Sequence, residues 1–278
     1  MADERIHRAV SADGTEIAGR VQGEGPPLVL VHGDLGDGEF AWDELLPHLT
    51  DRFTCYTPST RGRGLSADSS DHSPPRVHGD LNAFVDSIDE PVFLASWSGP
   101  GLAFGAAAHC GNVAGVAAYE PIVPLLVQED DQAHIGGAFE QVGMAAADGR
   151  LVDAIHAFAP GFMTDDEIAA LEKMDFFERW AGGIPAMLRA AQEHMSYEGP
   201  WPTDPEVLGK ITAPVLLLLG EQTLLATAFG DSAQHIDQHV TDARVRELPG
   251  LGHFAPVLAP ETLAEELISF FASVRQTA

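Results

Sequence analysis

The chain has 278 residues, 45% of them apolar, with a mean hydropathy near zero. That excludes a wholly disordered chain and allows one large α/β domain, or two small ones, with a proper core. Fifteen Lys and Arg against 42 Asp and Glu give a net charge of −27, which disfavours nucleic acid and anionic membranes as partners.

Lys173 and Lys210 are the only lysines. Few lysines with many acids suit adaptation to high salt, and a GC-rich genome also favours Arg over Lys. Cys55 and Cys110 cannot form a disulfide framework and read as free thiols. The charged stretch Met1–Ile6 has no hydrophobic signal core, and no segment reaches the length of a membrane span. A cytoplasmic protein is the expectation; its oligomeric state is not written in the sequence.

In chain order, Pro27–His32, Val92–Ala95 and Pro214–Leu219 are short apolar runs ending at turn residues. They read as strands buried on both faces of a parallel sheet. Helical patterns at Trp42–Leu49 and Val77–Ile88 alternate with them, which predicts a doubly wound α/β sheet. Residues 123–204 break the alternation with helical patterns at Ala138–Ala147, Leu151–Phe158, Asp165–Met174 and Ile184–Met195. The expected division is therefore a core of 1–122 and 205–278 with a helical insertion at 123–204. The last strand is predicted at Ala243–Leu248 and the last helix at Pro260–Ala272.

Leu94-Ala95-Ser96-Trp97-Ser98-Gly99-Pro100-Gly101 runs from a buried strand through a small-residue turn into a helix, Leu102–His109. This is the setting of a nucleophile elbow, in which Ser98 takes a strained conformation that projects its hydroxyl. Ser96 and Pro100 stand where the usual motif has Gly, and Pro is tolerated in a first helical turn. The amide of Gly99 is a candidate oxyanion donor. At Val31-His32-Gly33-Asp34 a strand ends in a Gly turn, and the Asp34 amide is the second candidate, its carboxylate expected to point away. His-Gly alone is equally compatible with a plain strand-to-helix turn. In Gly250-Leu251-Gly252-His253, a Gly-rich loop after the last strand presents His253, whose natural role is general base toward Ser98.

With these landmarks and Arg61-Gly62-Arg63-Gly64-Leu65-Ser66, the chain resembles the α/β-hydrolase fold superfamily, in its small, lid-bearing serine-hydrolase form. The resemblance implies an α/β fold with a mostly parallel eight-stranded sheet, helices on both faces and a helical lid inserted after strand six. The family commonly places its acid at a position that here is Thr223. Some relatives, including certain haloalkane dehalogenases and mycotoxin lactonases, carry the acid after strand six. Glu120, in Tyr119-Glu120-Pro121, stands there and is the candidate, with Glu221 and Asp231 as rivals.

The reading is hydrolysis of a small neutral carboxylic ester or lactone, with Ser98, His253 and Glu120 catalytic and the amides of Asp34 and Gly99 as oxyanion hole. No cofactor and no metal are expected; His235-x-x-x-His239 lacks an acidic third ligand. Trp97, Trp180 and Trp201 either line an apolar pocket or belong to the core of the insertion. The alternatives are a non-catalytic small-molecule-binding protein on a hydrolase scaffold, or a cofactor-free haloperoxidase-like or C–C bond hydrolase.

Overall fold

The computed structural model describes residues 5–99 and 101–277; the expectations for Met1–Glu4 and Pro100 lie outside them. Among the described residues, eight strands form one sheet: β1 Arg5–Val10, β2 Glu16–Gln22, β3 Pro27–Val31, β4 Thr54–Pro58, β5 Val92–Trp97, β6 Val113–Tyr119, β7 Val215–Gly220 and β8 Ala243–Leu248. Their order across the sheet is β1-β2-β4-β3-β5-β6-β7-β8. β1 and β2, and β2 and β4, pair antiparallel; every other pair is parallel.

β3 and β5 are buried along their whole length and occupy the middle of the sheet. Strands covered on both faces by helices must be apolar throughout, which is why these runs do not alternate. One layer of the core packs Leu28, Leu30, Phe93 and Leu218 against Phe270 and Phe271 of the C-terminal helix. The opposite layer packs Val29, Leu94, Val116 and Leu217 against Phe84, Phe104 and Ile236.

Several boundaries differ from expectation. Trp42–Leu49 is helical only over Leu46–Leu49 and is preceded by turns. The helix placed at Val77–Ile88 runs Pro74–Asp86, because a proline pair follows Ser73 and proline is pre-organised for a first turn. The C-terminal helix continues past Ala272 to Thr277.

Between β6 and β7 the chain forms helices at Glu129–Ala147, Leu151–Phe162, Asp165–Leu171, Phe176–Trp180 and Ile184–Ser196. The third ends at Leu171, short of Met174, in a 3-10 turn and a left-handed Asp175. Phe158, Phe176, Phe177, Trp180 and Met187 of this region join the same core layer as Trp97 and Phe254. The helices thus pack onto the ends of the strands rather than standing apart.

Candidate active site

The candidate side chains lie beyond the carboxyl ends of the parallel strands β5, β6 and β8, the usual position for ligands in such sheets. Ser98 follows β5 with φ +55, and its amide donates to the Tyr119 carbonyl at 2.9 Å. A left-handed serine is strained, and that bond to the adjacent strand helps to hold it.

Glu120 follows β6, also left-handed at φ +46, with no solvent exposure. Its Oε2 lies 2.6 Å from His253 Nδ1. Its Oε1 accepts the Gly220 amide at 2.9 Å, and Thr223 Oγ1 donates to Oε2 at 3.2 Å. A carboxylate this deep requires such partners. The rivals are engaged elsewhere: Glu221 accepts the Gly250 amide, and Asp231 accepts Gln128.

The His253 loop is fixed by side chains adjacent in sequence to the other candidates. Trp97, one residue before Ser98, donates from Nε1 to the His253 carbonyl at 2.9 Å. Tyr119, one residue before Glu120, donates from its hydroxyl to the Gly252 carbonyl at 2.5 Å. Burial pushes the Tyr119 hydroxyl pKa up, and the nearby Glu120 and Glu167 charges add to the rise. The His253 ring stacks on Phe229, centroids 4.8 Å apart and planes 12° apart. Ser98 and His253 face one cavity without a hydrogen bond between them; such bonds are often long before substrate binds.

The loop after β3 closes the other side. His32 is buried; its Nε2 accepts the Thr60 amide at 3.1 Å, so its proton sits on Nδ1, 2.7 Å from the Gly33 carbonyl. Burial pulls the His32 pKa down to about 3, aided by the Arg63 charge. Arg63 donates to the carbonyls of Asp34 and Gly36, the latter at 2.8 Å. Gly33 must be glycine for a contact reason: a Cβ there would lie 2.9 Å from the Trp97 carbonyl and 3.2 Å from Ser98 Cβ. Asp34 is exposed, and both Asp34 and Gly99 border the cavity.

The cavity holds about 540 Å³. Its walls are mainly apolar: Phe139, Phe158 and Phe162 from the inserted helices, with Trp97, Trp180 and Phe229. Among the described residues Asp34, Gln132, His194 and His253 are its polar side chains besides Ser98, and no Lys or Arg borders it. Trp201 is absent from this wall and packs instead against His194 and Tyr197. His235 and His239 bond to the Thr203 and His235 carbonyls. Among the described residues no three His, Cys, Asp or Glu side chains gather as a metal site, and no helix is long and apolar enough to cross a membrane.

Sequence reading missed several parts of this arrangement. Tyr119 and Phe229 carry no motif, and Thr223 marks in the sequence only the place where the family's common acid is lacking. Glu167 stands in a readable capping pattern, Thr164-x-x-Glu167, but its second contact crosses to the His253 loop.

A central parallel sheet, a left-handed serine after its fifth strand and a histidine–carboxylate pair beside it define the α/β-hydrolase class. Residues 28–266 match the Alpha/beta hydrolase family, and the chain belongs to it. Over 131 residues it is 37% identical to a pimeloyl-[acyl-carrier protein] methyl ester esterase of Stenotrophomonas maltophilia, 46% of this chain and 48% of that protein. Over 48 residues it is 46% identical to a pyrrolizixenacetamide deacetylase of Xenorhabdus hominickii, 17% of this chain and 18% of that one. The chain therefore matches less than half the length of these curated relatives. Among solved structures, an alpha/beta hydrolase from Sphaerobacter thermophilus superposes with TM-score 0.71 at 27% identity, covering 95% of this chain and all of the other. An esterase from Rhodococcus sp. ECU1013 superposes with TM-score 0.76 at 24% identity, covering 97% and 99%.

Proposed function

We propose that the chain is a serine hydrolase that cleaves a small neutral carboxylic ester or lactone through an acyl-enzyme. The observation that carries this is the 2.6 Å contact between Glu120 and His253 Nδ1, which leaves Nε2 as the ring nitrogen available for proton transfer. Ser98 attacks the carbonyl as His253 takes its proton. The developing oxyanion is held by the amides of Gly99 and Asp34. His253 then protonates the leaving alcohol, and a water, deprotonated by the same ring, releases the acid.

Residues 1–122 and 205–278 form the core in this reading, and 123–204 form the lid. The lid supplies the aromatic wall of the cavity, and a wall without Lys or Arg suits an uncharged substrate. The printed activities of the curated relatives, a methyl ester esterase and a deacetylase, support acyl-bond hydrolysis as the class. Two buried free cysteines fit a reducing, cytoplasmic setting.

A fluorophosphonate probe tests the mechanism. Labelling of the wild type but not of Ser98→Ala supports it; no labelling of either would favour a binding protein on the same scaffold. A panel of acyl esters and lactones then separates the two substrate classes.

A further inference from the structure

Glu167 is a buried carboxylate that the proposed mechanism does not use. It begins as an ordinary capping residue. Its Oε2 accepts the Thr164 amide at 2.9 Å and the Thr164 hydroxyl at 3.2 Å, closing the capping box of the helix Asp165–Leu171. Capping needs only that oxygen. The other, Oε1, reaches across 87 residues of sequence to accept the amide of Phe254 at 2.8 Å.

Phe254 is the residue after His253. The approach is tight, because a Cβ at Gly252 would lie 2.3 Å from Glu167 Oε1. Glycine at 252 thus admits the carboxylate. The histidine loop is then held at three successive residues: the Gly252 carbonyl by Tyr119, the His253 carbonyl by Trp97 and the Phe254 amide by Glu167. The first two holds come from the sheet, and the third comes from the helices between β6 and β7.

We propose that Glu167 is a positioning residue for His253, through which seating of the lid sets the register of the catalytic histidine. This rests on the serine-hydrolase reading. When the inserted helices are seated, the Phe254 amide has its acceptor and the ring is fixed between Glu120 and Ser98. When they lift, the loop loses that acceptor and His253 gains freedom.

The test uses Glu167→Ala, Glu167→Gln and Thr164→Ala in the full chain. Two probes of Ser98 reactivity are applied, p-nitrophenyl butyrate and a fluorophosphonate. Amide hydrogen exchange of the segment 250–256 is followed by mass spectrometry. Glu167→Ala is expected to lower kcat and the phosphonylation rate by about 10- to 100-fold, with KM within about twofold, as small misplacements of a catalytic group do. Exchange at the histidine loop should quicken. Glu167→Gln should recover only part of the loss: its single amide oxygen can accept the Phe254 N–H, but its NH2 cannot also accept the Thr164 amide. Thr164→Ala loses only capping contacts and should keep near-normal kcat and exchange.

Equal kcat and equal loop exchange in Glu167→Ala and wild type would overturn the proposal. So would a loss in Thr164→Ala as large as that in Glu167→Ala, which would reduce the role to holding the helix. If the wild type is inert to both probes, the hydrolase reading fails, and hydrogen exchange alone then decides whether Glu167 positions the loop.

Discussion

Thr223 donates its hydroxyl proton to Glu120 Oε2 at 3.2 Å. The β7 loop thus supports the proposed triad acid, carried by the neighbouring strand, β6. Glu120→Gln should lower kcat by about 10³- to 10⁴-fold while the fold survives, since the neutral amide no longer steadies the imidazolium. Thr223→Ala should cost far less, on the order of 10-fold, because Gly220 still donates to the same carboxylate. Glu221→Gln should have little effect. Steady-state kinetics on any ester that turns over measures all three, and a larger loss at Glu221 than at Glu120 would overturn the assignment.

Gly33 packs beside Ser98, the proposed nucleophile. Alanine there would press on the Trp97 carbonyl and Ser98 Cβ. Gly33→Ala should therefore cut kcat by about 100-fold, out of proportion to any change in Tm. A variant with normal kcat and a lowered Tm would show that the contact is merely structural.

His32 provides a stability signature. Its folded pKa near 3 lies below the ordinary 6.5, so the unfolded chain binds the extra proton. Stability is intact above pH 6.5 and falls as pH drops through the interval toward 3. Between pH 7 and pH 5 this one residue should account for about 2 kcal/mol of lost stability. Urea melts of wild type and His32→Gln at both pH values measure it. An unchanged pH slope in the variant would refute it.

The net charge of −27 predicts a response to salt. Self-repulsion weakens as the Debye length shrinks from about 10 Å at 0.1 M to about 3 Å at 1 M. Tm should rise over that range in sodium chloride. A flat or falling Tm would mean that the surface ion pairs, such as Arg150 with Asp153, lose as much as the carboxylates gain.

What the sequence disclosed follows from local physics. β3, β5 and β7 were legible because strands buried on both faces need continuous apolar runs. The first two strands were not: β1 is largely exposed and carries two arginines, and β2 mixes Ala and Gly with charge. Ser98 and His253 were legible because a small-residue turn and a Gly-rich loop announce them. The acid was harder, since only the fold brings the ends of β6 and β7 side by side. Glu167 shows the limit: its capping role is written within four residues, whereas its bond to Phe254 exists only once the chain has folded back over the sheet.

The lack of Lys and Arg among the described residues of the cavity wall bears on what would happen after the bond is cut. In the proposed reaction a neutral ester enters without electrostatic penalty, and hydrolysis turns its acyl half into an anion. That anion finds no Lys or Arg to hold it in the chamber, and the acidic chain around it favours departure. In that reaction the charge that makes the surface repel itself would also act as an ejector, and weak inhibition by the acid product is its expected kinetic mark.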